Sequence, residues 1–168
     1  QAGVTDPRGH ASGVTYTAKS QIATSTDAEG NTTTYTYDAA GNVATVKDAA
    51  NNTIVITSNN TNRPATVTYP DTTTETFTYN AWGLPLTMKD RNNVTTTMTY
   101  DAMGRPLTSS TTVGGVAHVS SRTYFADGTV ATETDMNGNV TSHAYNAAGK
   151  HTSTTLPVLS GQPAAVVE

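Results

Sequence analysis

Tyr16, Tyr37, Tyr79 and Tyr100 fall on one 21-residue spacing, with Ser58 on the single rung where the aromatic is missing. After Tyr100 the count slips by three residues and then resumes, since Tyr145 again follows Tyr124 by 21. A fixed period of this length marks an array of units that each bury apolar surface only against their neighbours. The chain is therefore a repeat array interrupted once.

Each period carries two turns. After the tyrosine come Tyr37-Asp38-Ala39-Ala40-Gly41, Tyr79-Asn80-Ala81-Trp82-Gly83, Tyr100-Asp101-Ala102-Met103-Gly104, Tyr124-Phe125-Ala126-Asp127-Gly128 and Tyr145-Asn146-Ala147-Ala148-Gly149. Asp or Asn at the first turn position binds its own backbone two residues on, and the Gly four residues after the Tyr accepts positive φ. Ten residues before a rung stand the second turns, opened by Asp27, Asp48, Asp90 and Asp135, with Asn in place of Gly in two of them.

Between turns the runs are short, with alternation as in Tyr35/Tyr37, Ile54/Ile56, Phe77/Tyr79 and Met98/Tyr100. Residues two apart in a strand share a face, so each repeat is strand, turn, strand, turn. Pro64, Pro85 and Pro106 keep the same step and suit the first residue of a strand, where a missing ladder donor is tolerated.

These features predict an all-β fold of repetitive antiparallel β-hairpins forming a curved, spiralling sheet or solenoid-like array. The array spans 1–155, starts mid-repeat at a turn over Asp6-Pro7-Arg8-Gly9, and counts about seven repeats. The insertion near 111–121 centres on Val113-Gly114-Gly115-Val116, a two-residue hairpin signal predicting one lengthened, protruding hairpin. Residues 156–168, lacking the expected Asp and Tyr near Leu156 and Val166, are a degenerate C-terminal segment. The tyrosines are expected to dominate cohesion by burial. The strands from Ile54 to Val67, beside Ser58, form the softest layer unless Tyr69 compensates.

Composition narrows the partners. Charged residues make up 13% of the chain, about half the usual share, while threonine supplies about a fifth. The net charge of −4 leaves no basic stripe for nucleic acid or an anionic membrane. No apolar run reaches the roughly 18 residues of a membrane span. With no cysteine, neither a disulfide nor a thiolate site is available. Gln1 opens the chain partway through a repeat, which reads as an excised segment or a protomer whose open edge pairs with another.

No catalytic, cofactor-binding or metal-binding residue is predicted. His10, His118, His143 and His151 are scattered over different repeats, and Asp135-Met136-Asn137-Gly138-Asn139 reads as an Asx-type turn, since its Gly is one place early for a calcium loop. Trp82 stands where sister turns carry Ala40, Met103 and Ala148, and is the one candidate surface contact.

The unit Tyr-Asp-x-x-Gly-Arg, complete at Tyr100-Asp101-Ala102-Met103-Gly104-Arg105 and relaxed at Tyr37, Tyr79, Tyr124 and Tyr145, resembles the YD repeat of the RHS family. That resemblance implies strand-turn-strand units winding into one long sheet. In bacterial members, including Tc-toxin-like ones, such sheets build a shell around a toxic polypeptide; more distantly, teneurin shells act in cell-surface adhesion. It further implies a non-catalytic wall segment of an extracellular or cell-surface protein. Its partners are other segments or copies through strand edges, with an enclosed polypeptide or a glycan beyond them. An adhesive or fibre-forming repeat is the alternative, and a carbohydrate-binding surface the second alternative.

Overall fold

The computed structural model describes residues 2–5, 11–158 and 165–167 and falls into two units, Gln1–Phe77 and Thr78–Glu168. The turn at Asp6-Pro7-Arg8-Gly9 and the residue His10 lie outside the described residues. The first unit holds β1 (Ala2–Thr5), β2 (Ala11–Tyr16), β3 (Ile22–Thr26), β4 (Thr32–Tyr37), β5 (Val43–Lys47), β6 (Thr53–Ser58) and β7 (Pro64–Thr68). β8 (Thr74–Tyr79) runs over the boundary. The second unit holds β9 (Pro85–Lys89), β10 (Thr95–Tyr100), β11 (Pro106–Val113), β12 (Val116–Tyr124), β13 (Val130–Thr134), β14 (Val140–Tyr145), β15 (His151–Thr155) and β16 (Val166–Val167). Within each unit every strand pairs antiparallel with its sequence neighbours, so the fold is an all-β array of hairpins. The array continues past the lapse of the tyrosine, because Thr154 and Thr155 still pair with Val167 and Val166.

The turns after the tyrosines and the turns at the aspartates have one geometry. Among the described residues twelve five-residue turns repeat it: the first N–H donates to the fifth carbonyl, and the fourth N–H donates to the first carbonyl. The fourth residue is left-handed each time, at Ser20, Gly30, Gly41, Asn51, Asn62, Thr72, Gly83, Asn93, Gly104, Gly128, Gly138 and Gly149. Up to Gly104 these positions step alternately by ten and eleven residues, so the 21-residue period is two hairpin arms of nearly equal length. Gly114 and Gly115, both left-handed, close the β11–β12 hairpin as a two-residue loop.

Thr72 is the costly member of this series, a β-branched residue held at φ 68°. A left-handed L-residue costs roughly 1–2 kcal/mol, and branching at Cβ adds crowding. Thr72→Gly is expected to stabilise the chain by about 1 kcal/mol, raising the thermal midpoint by about 3 °C; a lowered midpoint contradicts this.

Ladder partners point the same way, so the registers divide the side chains between two faces. In the first unit one face carries Tyr35, Tyr37, Val46, Ile54, Ile56 and Val67, and in the second unit Met88, Met98 and Tyr100 share a face. The other face of the first unit is almost all threonine, including Thr15, Thr24, Thr34, Thr36 and Thr45.

No side chain of the described residues is fully buried. The chain exposes 10954 Å², against about 7,900 Å² for a compact protein of its mass. Cohesion by buried tyrosine is thereby corrected: Tyr16 is 50% exposed and the other ladder tyrosines are half-buried. A single layer has no opposite sheet to cover them, so the backbone ladder and the turns carry the fold.

Candidate functional site

The described residues offer chemistry through the faces of the strands and through the turns. The tyrosines act as staples. Tyr16, Tyr37, Tyr100, Tyr124 and Tyr145 each end a strand beside a bulge that skips one residue of the next strand, as between Thr36 and Tyr37 opposite Val43. The Tyr37 hydroxyl donates to the Ile22 carbonyl at 2.8 Å, and Tyr100 donates likewise to Pro85, both reaching back 15 residues to the first residue of the preceding strand. Tyr124 makes the same 2.8 Å bond to Pro106 across 18 residues, so the three-residue insertion is absorbed without losing the staple. Tyr145 instead meets Phe125 and His151 edge-on, with ring centroids 6.0 and 5.4 Å away.

Ser58 keeps its register opposite Pro64 but cannot reach back as a tyrosine does. Tyr69 does not replace it, since it opens the Tyr69–Thr73 turn and donates its hydroxyl to Glu75 at 3.1 Å. By the 15-residue rule the unused acceptor is the Val43 carbonyl. Ser58→Tyr is expected to stabilise the chain by about 1–2 kcal/mol, measured by urea unfolding; no gain would show that this layer is held another way.

The turn aspartates are clasped. Asp27 Oδ1 accepts the N–H groups of Glu29 and Asn31, both at 2.9 Å, and Oδ2 accepts the Asn31 amide at 2.9 Å. The carboxylate–carboxamide pair recurs at Asp38/Asn42, Asp48/Asn52 and Asp135/Asn139. Asp90 takes the Asn92 and Val94 N–H groups at 2.9 Å. In Asp27, Asp38, Asp48 and Asp135 the asparagine amide, and after it the backbone donors, hold the carboxyl below its ordinary range. At Asp101 burial opposes this, but donors from the Arg105 backbone and side chain prevail.

A carboxyl with a lowered folded-state value stabilises the fold above its unfolded value and loses that contribution as pH falls through the folded value. Stability is therefore expected to stay level above about pH 5 and to fall below about pH 4, read as thermal midpoint against pH. Asn at positions 27, 38, 48 and 135 together should flatten the fall; an unchanged curve assigns acid sensitivity elsewhere.

Arg105 ties two turns together, Asp101–Arg105 and Phe125–Thr129. Its Nε donates to Asp101 Oδ2 at 2.6 Å, and its guanidinium lies 4.3 Å from the Tyr124 ring centroid. Its Nη1 stands 3.4 Å from where a Cβ on Gly128 would be. Trp82 is 61% exposed, yet its Cε3 lies 3.9 Å from the corresponding point on Gly104. It overhangs the neighbouring turn and presents its other side to solvent beside Met103, which is 77% exposed.

The threonine face has its own register, which reading composition alone misses. At five rungs the residue before the rung meets the third residue of the next strand, hydroxyl to hydroxyl: Thr15/Thr24 at 2.6 Å, and Thr36/Thr45, Thr78/Thr87, Thr99/Thr108 and Thr123/Thr132 at 2.7 Å. These pairs satisfy one another and leave methyl groups outward. The signal was present, as Thr15, Thr36, Thr57, Thr78 and Thr99 share the tyrosine spacing.

The scattered histidines are corrected in part. The sheet brings His143 and His151 together with ring centroids 5.7 Å apart, both at Thr154 Oγ1, at 3.2 and 2.9 Å. His143 Nε2 faces Glu133 at 3.5 Å, and Glu133 accepts Arg122 Nε at 2.6 Å, which foremost lowers its carboxyl. Beside this open network on the tyrosine face a depression of about 470 Å³ is lined by Ser109, Ser120, Arg122, Glu133, Asp135 and Pro157, among others. His118 stands apart on the β12 overhang. Among the described residues no three His, Asp or Glu side chains converge as metal ligands.

The RHS Repeat family model matches residues 16–53 and 79–117. Among solved structures the chain resembles a Photorhabdus luminescens Tc holotoxin pore, with TM-score 0.75 at 13% identity over 94% of this chain and 9% of that one. It also resembles the TcdB2-TccC3-TEV crystal structure (TM-score 0.57, 14% identity, 96% and 11%) and the TcdB2-TccC3-Cdc42 crystal structure (0.55, 16%, 94% and 12%). The likeness is one of fold, and the chain spans about a tenth of the structures it matches. No match was found among curated protein sequences.

Proposed function

We propose that the chain, which the RHS Repeat family model matches over residues 16–53 and 79–117, is a non-catalytic wall segment of a β-shell. In this reading its tyrosine face is turned toward an enclosed polypeptide, and the protein works outside the cell. One observation carries the reading: among the described residues each unit is a single layer with no buried side chain, and Tyr35, Ile54 and Ile56 share a face in the first unit as Met88 and Met98 do in the second. An apolar sheet face normally rests on a second layer, and Ile54, Ile56, Met98 and the tyrosines have none within their unit. The threonine face needs no cover, since its hydroxyls pair with one another. The fold shared with Tc toxin structures supports a wall role, and no helix of the described residues is long and apolar enough to cross a membrane.

The absence of cysteine makes a direct test possible. Ser109 and Ser110 are adjacent in β11 and point to opposite faces, their partners being Met98 and Thr97. Single cysteines at each site are alkylated in this chain and in the full-length gene product. Slowing of at least about tenfold at position 109 and little change at 110 is expected in the longer protein; equal rates at both sites would refute the reading.

A further inference from the structure

The lengthened hairpin leaves a strand edge open. β12 pairs with β11 from Ser121 to Val116, but with β13 only from Ser121 to Tyr124. β13 stops at Thr134, and the chain turns away through Asp135–Asn139. Val116–Ser120 thus run past the end of β13, and no strand of the described residues lies beside them. On the hairpin's other side the overhang is only Thr112 and Val113, because β10 pairs up to Thr111.

Backbone alternation fixes which groups are free. Val113 and Val116 flank a two-residue loop and so exchange hydrogen bonds with each other. The next outward-facing residues are Ala117 and Val119, both exposed, each presenting one N–H and one carbonyl. These pairs recur about 6.8 Å apart, two residues along the strand. That spacing matches an extended polypeptide and no sugar or phosphate. Free edges are usually blunted by charge or proline, yet Val116-Ala117-His118-Val119-Ser120 carries no Lys, Arg, Asp, Glu or Pro. Val116 and Val119 are 58% and 43% exposed.

We propose that this edge of β12 accepts an extended segment of another polypeptide by strand addition, independently of what covers the tyrosine face. Asp135 closes the edge beyond Ser120, both residues lining the same depression, which limits the added strand to about four or five paired residues. The segment's centre is uncharged, small or β-branched, to lie beside Val116 and Val119. Its end near Asp135 is cationic, because the Asn139 clasp keeps that carboxylate ionised.

The test uses the whole chain, isotope-labelled, with the blocked peptide Lys-Thr-Val-Thr-Val-Thr at millimolar concentration. Amide exchange at Ala117 and Val119 is expected to slow by at least about tenfold, with His118, already bonded to β11, unchanged. Ala117→Pro removes an outward donor that the β11 ladder does not use, so it should abolish the slowing at Val119 with the thermal midpoint kept. A peptide N-methylated at alternate residues on its pairing edge should fail against the unaltered chain, which keeps the test valid if the proline variant misfolds. No slowing with the unmodified peptide overturns the proposal, as does slowing by the N-methylated one. Concentration-dependent protection of Ala117 and Val119 without peptide would also overturn it and assign the edge to a second copy.

Discussion

Tyr124→Ala is expected to destabilise the chain by about 3 kcal/mol, the sum of lost half-burial, one hydrogen bond and one cation–π contact. The hydroxyl's 2.8 Å bond to Pro106 is the staple that spans the insertion, and no other side chain reaches that carbonyl from β12. The ring also faces Arg105, whose Nη1 is enclosed without a hydrogen-bond acceptor and has the π face as its compensation. Tyr124→Phe removes only the hydroxyl and should cost about 1 kcal/mol. Urea unfolding separates the two: a loss for Ala no larger than that for Phe would show that the ring contributes nothing beyond its hydroxyl.

Gly104→Val should cost about 3 kcal/mol, combining left-handed strain with a steric clash. Gly104 sits at φ +80°, and a Cβ there lies 3.3 Å from Leu84 Cδ1. Gly30 supplies the comparison, since it has φ +84° with nothing within 4 Å of the same point. Gly30→Val therefore measures the backbone term alone, expected near 2 kcal/mol, and the difference of about 1 kcal/mol is the contact with Leu84. Trp82, the only tryptophan, overhangs Gly104, so its fluorescence should shift in Gly104→Val and not in Gly30→Val. Equal costs and an unmoved spectrum would remove the turn-to-turn contact from the account.

Much of the fold was legible because turn chemistry is local. An Asx side chain followed by a residue able to take positive φ specifies its hairpin within five positions, and Pro64, Pro85 and Pro106 do stand first in β7, β9 and β11. What sequence reading missed is long-range. The Tyr37 and Tyr100 hydroxyls find carbonyls 15 residues back, and the equality of the two turn types emerges only from the backbone, where even the β-branched Thr72 takes the left-handed position that Gly41 holds. Likewise Glu133, His143 and Thr154 stand ten and eleven residues apart, the step of the hairpin arms, but their different residue types hide this until the sheet register assembles them. The expectation of tyrosine burial failed for a related reason, as alternation reveals an apolar face but not whether a second layer exists to cover it.

The most direct test of that uncovered face is electron cryomicroscopy of the full-length gene product. In each unit density for further polypeptide should lie against the tyrosine face, marked by Tyr35 and Ile56 in the first and Met98 in the second, while the faces of Thr36 and Thr45 and of Thr99 meet solvent. Solvent against both faces, or polypeptide packed on the threonine face alone, would contradict a wall whose tyrosine side is its inner surface.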